Sequence, residues 1–438
     1  MNRYVVFAAA LFFGLCGSSF GKVDAYRLSW RDDTATTMVV GWNQISGENA
    51  ELCYGTTDHK EKASAYRLKQ KPDRSISYKG MECRYVRLKN LKPDTAYYFV
   101  VRDSEGTGKR LWFKTAPATP KPFTFIAGGD SRTNQDIFRK GCGFVAKLRP
   151  LFIVFDGDFT SAGKSKEWKT WFANWQATIS KDGRIYPIVV VHGNHENRDM
   201  EALTQLFDTP NEDQFYSLGF GGKMLRVWIL NSEIQGKVKG KGKAKEKAKK
   251  KKQLQNKWIK ADLTKHKNAH WKMVTYHRPM RAHTKKKKEG LTQIEDWAQL
   301  FYDNHMSLIL EADTHMVKRT YPLRPSDGSK SFESFVRDDA HGMVFIGEGS
   351  WAAPKKPADD NKPWTMASDS FYQFKWIWIS PKEIYIRTVK YDNPEKVVPL
   401  TEKNLFTEPK NMVFWEPETG KVLRLPFSVK HPTYKGKK

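Results

Sequence analysis

Cysteine is scarce in this chain: four occur in 438 residues. Cys16 lies in the leading segment, which leaves Cys53, Cys83 and Cys142. Cys53 and Cys83 fall in strand-like stretches of one region, and sequence leaves open whether they pair or stay separate buried thiols. Cys142 reads as a small core residue on a helix. Long apolar runs are also lacking. Val5–Leu15 is too short for a stable bilayer anchor, and no later run reaches ~18 apolar residues. Arg3 before that run, and the small residues Ser19 and Gly21 after it, give residues 1–21 the grammar of a secretory signal cleaved near Gly21. Phe13-Gly14-Leu15 before Cys16 is a poor lipidation box. The expected location is secreted or periplasmic. Acidic residues are the minority, 48 against 75 basic ones, for a formal charge of +27. A third of that excess sits in Lys237–Lys252, KVKGKGKAKEKAKKKK, with ten lysines and one glutamate. Aromatics do not interleave the lysines and no nucleic-acid fold signature appears, so specific nucleic-acid binding is not expected. The block repels itself and buries no core, and residues 236–252 are expected as a disordered surface insertion. Its functional reading is contact with an anionic surface or polymer.

What is present divides in two. Residues 22–117 read as all-β. Met38, Val40 and Trp42 alternate, Tyr85–Leu88 and Tyr97–Val101 do the same, and Gly, Asp, Pro and Asn punctuate the gaps. Leu91-Lys92-Pro93-Asp94-Thr95-Ala96-Tyr97 resembles the corner of a fibronectin type III sandwich, where a Tyr hydroxyl ties back to the backbone. Ala116–Pro122, APATPKP, reads as a linker. From residue 118 to 400 strands and helices alternate. Phe123–Ala127, Phe152–Phe155, Ile188–Val191, Met224–Leu230, Met273–Tyr276 and Ser307–Leu310 are short apolar runs. Trp168, Trp171, Phe172, Trp175 and Ile179 fall at helical spacing and read as a core stripe. The spacing predicts a layered α/β domain, two sheets face to face with helices outside. Residues 401–438 form an extension in which Pro417–Pro426 reads as a hairpin and the end from Lys430 as a basic tail.

The chemistry lies where the apolar runs stop. Ile188–Val191 runs into His192-Gly193-Asn194-His195-Glu196. Phe123–Ala127 leads to Asp130-Ser131-Arg132, Phe152–Phe155 to Asp156-Gly157-Asp158, Met273–Tyr276 to His277, and Ser307–Leu310 to Ala312-Asp313-Thr314-His315. One Asp after a strand is ordinarily a helix cap. Five tips with Asp, Asn or His point to a metal centre. Carboxylate, amide and imidazole donors suit Mn, Fe, Zn or Mg rather than a thiolate site. The donors outnumber the needs of one ion. Asp158 on a central strand suits a bridge between two ions ~3.5–4 Å apart, the spacing used for in-line attack on phosphorus.

In this order the motifs resemble the calcineurin-like metallophosphoesterase superfamily, and the fibronectin-like domain before them resembles the purple acid phosphatase-like branch. The resemblance spans about residues 24–400. It implies that Asp130 and His315 serve a first metal, that Asp158 bridges, and that Asn194, His277 and Asp313 serve a second. His195 would face the phosphoryl group or protonate the leaving group. Three positions depart from the pattern. Ser161 stands where the purple enzymes have a Tyr, which removes the basis for assuming iron. Arg132 stands where other members have a His, and is read as a phosphate contact. Asp313 replaces a His and favours harder ions. The implied function is an exported phosphoesterase with one or two divalent ions (Mn, Fe, Zn or Ca). Metal-bound hydroxide would attack a small phosphate ester, monoester before diester, with His195 assisting. The alternative is a non-catalytic binder of phosphate or an anionic polymer on the same scaffold.

Overall fold

The computed structural model describes residues 22–236, 242–287 and 290–427. The leader 1–21 and the basic tail from Lys430 lie outside them. The N-terminal domain is two antiparallel sheets. One orders Val23–Ser29, Met38–Gln44, Met81–Leu88 and Arg74–Tyr78; the other centres on Glu51–Gly55 and Ala96–Asp103. Alternation puts Trp42, Val86, Phe99 and Phe113 between them, all fully buried. The expected corner forms: the Tyr97 hydroxyl accepts from Lys92 N at 2.8 Å. Cys53, Cys83 and Cys142 are free, buried thiols.

The second domain stacks two sheets, as the run pattern predicts. In the first, Phe123–Gly128, Phe152–Phe155 and Ile188–Val190 run parallel, extended on the other edge by Gln373–Ile379, Glu383–Lys390 and Leu423–Pro426. In the second, Leu225–Ile229, Trp271–Thr275, Leu308–Glu311 and Val344–Gly347 run parallel. Parallel strands put their carboxyl ends at one edge, so each sheet delivers its polar tips to the same place. The stripe on helix Ser165–Trp175 is core: Trp168, Trp171, Phe172 and Trp175 are each 1% exposed.

Two expectations need correction. The lysine block is not a disordered loop over its described part, because Gly242–Lys265 is one helix. Lysine is a good helix former, no Pro or Gly interrupts after Gly242, and the far end is fixed by buried Ile259 and Leu263. Lys252 also pairs with Asp296 at 2.6 Å, and Lys251 with Asp213. Residues 237–241 lie outside the described set. Pro417–Pro426 does not form its own hairpin. Its second half, Leu423–Pro426, pairs with Glu383–Ile386 and caps the sheet edge.

The domains share one apolar core and a polar clasp. Arg31, Arg74 and Arg87 of the sandwich all reach Asp208, which ends the helix Ala202–Phe207. The closest contact is Arg87, with Nε and Nη2 each 2.8 Å from the carboxylate.

Candidate metal centre

The five tips interlock before any side chain is counted. Asp130 N donates to Gly157 O at 3.0 Å, Val191 N to Phe155 O at 3.0 Å, and Ala312 N to His277 O at 2.8 Å. The turns are tight enough to need glycine twice. A Cβ on Gly193 would lie 2.4 Å from Asp158 N, and one on Gly157 would lie 2.8 Å from Gly193 Cα and from His277 Nδ1. Four of the predicted ligands themselves adopt left-handed backbone: Asp130 (φ 62°), Asp158 (57°), Asp313 (67°) and His315 (58°). Each such residue costs about 1–2 kcal/mol outside glycine. Backbone strain of this kind concentrates where side chains must be aimed.

The aim is convergent. Asp130, Asp158 and His315 form one cluster, and Asp158, His277 and Asp313 form another, each with its ligand atoms within 4.8 Å of one another. Asp158 belongs to both, the position the sequence reading gives it. In the first, His315 Nε2 is 3.1 Å from Asp130 Oδ1. In the second, His277 Nε2 is 3.2 Å from Asp158 Oδ1, 3.6 Å from Asp313 Oδ1 and 3.2 Å from Asn194 Oδ1. All five Asp and His ligands are at most 1% exposed.

The donors fit a divalent cation. His315 Nδ1 is 2.9 Å from Pro354 O and His277 Nδ1 is 2.7 Å from Asp156 O. Those carbonyls take the Nδ1 protons and turn both Nε2 lone pairs inward, as metal-binding imidazoles require. Asp130 Oδ1 and Asp313 Oδ2 are buried without a hydrogen bond. The Asn194 oxygen faces acceptors; turned over, its nitrogen would donate to Asp313 Oδ1 at 2.8 Å. The oxygen-inward orientation is the one a cation selects. Burial would raise the Asp158 carboxyl, but His277 and His195 hold it well below the usual range. Asp313 is held low against burial by His277, Lys287 and Arg278.

His195 stands beside the centre rather than in it. Its Nδ1 is 2.6 Å from Ser161 O, and its Nε2 is 3.7 Å from Asp158 Oδ2. Arg132 reaches inward, with Nη2 3.2 Å from His315 Nε2 and Nε 3.4 Å from Asp158 Oδ2. The structure thus brings together all eight residues singled out from sequence.

Other participants join from around the tips. Glu196 closes the Gly-Asn-His-Glu motif by accepting from Asp158 N (2.8 Å), Phe159 N (3.0 Å) and Gly193 N (2.9 Å). Burial and the nearby Asp158 charge push its carboxyl up to about 8. Lys287, from a short lysine run, meets the Asp313 carboxylate. Arg278 Nη1 is 3.8 Å from Asp313 Oδ2. Lys356, pushed down to about 8 by burial and then by Lys287, completes a cationic rim. Arg319, on the strand that follows the last ligand tip, donates to Gly420 O and Lys421 O and lies over the Trp415 ring.

Comparison with known proteins places these features together. A family model described as "Purple acid Phosphatase, N-terminal domain" matches residues 23–115, and one described as "Calcineurin-like phosphoesterase" matches residues 120–317. An uncharacterised protein of Mycobacterium tuberculosis (strain H37Rv) is 22% identical over 378 residues, 76% of this chain and 70% of that one. Among solved structures, the purple acid phosphatase PPD1 of yellow lupin (Lupinus luteus) superposes with a TM-score of 0.67 at 15% identity, covering 85% of this chain and 73% of that one. A structure described as PhoD does so with a TM-score of 0.62 at 10% identity, covering 86% and 87%. At these identities the structural likeness speaks to fold alone.

Proposed function

This chain belongs to the calcineurin-like phosphoesterases, in the branch with a purple acid phosphatase N-terminal domain, and on that premise we propose that it is an exported hydrolase of small phosphate esters, monoesters before diesters. The observation that carries this reading is the pair of carboxylate–imidazole clusters sharing Asp158. Asp158, Asn194, His277 and Asp313 would hold an ion; Asp130, Asp158 and His315 form the other candidate position, beside Arg132. When bound, such ions activate a nucleophile near neutral pH and neutralise developing phosphoryl charge. The chain's own residues do the rest. Arg132 and the rim of Lys287, Lys356 and Arg278 attract and orient the phosphate dianion. His195, held by the Ser161 carbonyl, stands ready to pass a proton to the departing oxygen. The left-handed turns keep the ligands aimed without reorganisation during the reaction.

The test is hydrolysis of a chromogenic phosphomonoester and a diester by the mature protein, stripped with chelator and reloaded separately with Mn, Zn, Fe and Ca. Metal-dependent turnover supports the reading, and the preferred ester sets the substrate class. The four cationic side chains around the centre favour a second reading, phosphate or polyanion capture without turnover. Phosphate binding with no hydrolysis under any metal would make that the better account.

A further inference from the structure

The two ligand clusters are not equivalent, and the difference lies in which cation of the chain stands at each. This inference rests on the metal-centre reading above. At the first cluster the cation is Arg132. It leaves the backbone two residues after Asp130, and its guanidinium touches two of the three prospective ligands, His315 (3.2 Å) and Asp158 (3.4 Å). Its side chain is only 17% exposed. Guanidinium stays charged at any accessible pH, so no loss of a proton clears the position. The Pro354 carbonyl fixes the proton of His315 on Nδ1, which leaves the Nε2 lone pair for Arg132 to donate to.

At the second cluster the cation is Lys287. It arrives on a flexible four-carbon stem and, of the prospective ligands, meets Asp313. Four donors remain around that point, from Asp158, Asn194, His277 and Asp313. Charge tells the same story. The buried cluster carries three carboxylates, Asp130, Asp158 and Asp313. With Lys287 withdrawn from Asp313 and Arg278 paired to Glu233, one divalent ion and one guanidinium neutralise them; a second divalent ion would leave an excess of two positive charges beside Arg132. Buried charge is tolerated when it is matched.

We propose that this centre holds a single exchangeable metal ion, bound by Asp158, Asn194, His277 and Asp313, and that Arg132 is the permanent cation of the other position. Arg132 then presents its remaining N–H groups to a phosphoryl oxygen. Lys287 withdraws from Asp313 as the ion enters and joins the rim.

The experiment is metal counting on the full mature chain, stripped, reconstituted with excess Mn(II) and desalted. Content is read by mass spectrometry and the electronic environment by electron paramagnetic resonance. The expected result is one ion per chain with the hyperfine pattern of an isolated Mn(II). Asn194→Ala should weaken Mn(II) binding about tenfold or more, while His315→Ala should change it by no more than about twofold. His315→Gln serves if the alanine variant does not fold, as judged by circular dichroism. Arg132→His, which supplies an imidazole and removes the fixed charge, should raise the content to two ions with an exchange-coupled spectrum. Two ions in the wild type, none at all, or loss of the ion through His315 rather than Asn194 would each overturn the proposal. The count needs no substrate. One ion without turnover would sink the phosphoesterase reading and leave this one standing, and two ions with turnover would do the reverse.

Discussion

The His195 imidazole is oriented by Nδ1 on the Ser161 carbonyl at 2.6 Å, its backbone N–H donates to Asp158 Oδ1 at 2.9 Å, and its other ring nitrogen lies on the side of Asp158. A group that protonates a departing alkoxide matters most when the leaving group is poor. His195→Ala should therefore cut kcat on an alkyl phosphate by about 100-fold or more while changing kcat on p-nitrophenyl phosphate far less. Equal losses on both, measured at saturating metal, would assign it to phosphoryl binding instead. His192, two residues before Asn194, is fully buried and bonded to Asn197 at 3.1 Å. Burial pushes its imidazole down to about 4 from an ordinary 6.5, against the pull of Asn197. Between those values the unfolded chain binds the proton that the folded chain refuses. Stability should fall as pH drops from about 6.5 to about 4, by up to a few kcal/mol. His192→Gln should flatten that part of the pH–stability curve in denaturant melts, and an unchanged curve would mean that other groups set it. All eight candidate residues were legible because each sits just after an apolar run. Lys287 was not, since a lysine in a run of lysines takes its role only from tertiary contact; Glu196 was legible as part of its motif, but not as the acceptor from Asp158 N, Phe159 N and Gly193 N.

At the scale of elements, strand tips were the most readable feature and the lysine block the least. Composition argues against burial there but not against helix, and Gly242–Lys265 is helical because its far end is packed. Helix and polyanion contact are separable. Replacing Lys243, Lys245, Lys247 and Lys249 with glutamine should leave ellipticity nearly unchanged. It should also weaken binding to inorganic polyphosphate and make that binding less salt-dependent. Polyphosphate binding that survives the change at physiological salt would move the contact to the rim around Asp313. The Pro417–Pro426 hairpin failed for a related reason. Two short strand-like runs about a turn also suit an edge strand, and the open edge at Glu383–Lys390 takes one of them.

Across the whole molecule, the sandwich and the phosphoesterase domain behave as one packed body, because apolar side chains from both enter a shared core. The Asp208 clasp adds direction to that contact. Asp208→Asn leaves three arginines facing a neutral amide. With those arginines partly exposed, the loss should be about 2 kcal/mol, read as a lower midpoint of a single unfolding transition. Two separated transitions in the wild type would contradict the single-body account. The two-domain division and the layered α/β architecture were legible from period and punctuation. The clasp was not, because its partners lie more than a hundred residues apart in sequence.

The central claim is that Asp158, common to both clusters, organises a phosphoester-cleaving metal centre. The most direct test is Asp158→Asn, which keeps shape and removes the shared charge, assayed on a chromogenic phosphomonoester beside the wild type at saturating metal. The account predicts wild-type turnover that needs metal, and a loss of about 1000-fold or more in kcat/KM for the variant, on the order of 4 kcal/mol of transition-state stabilisation. A variant within a few-fold of an active wild type would contradict it.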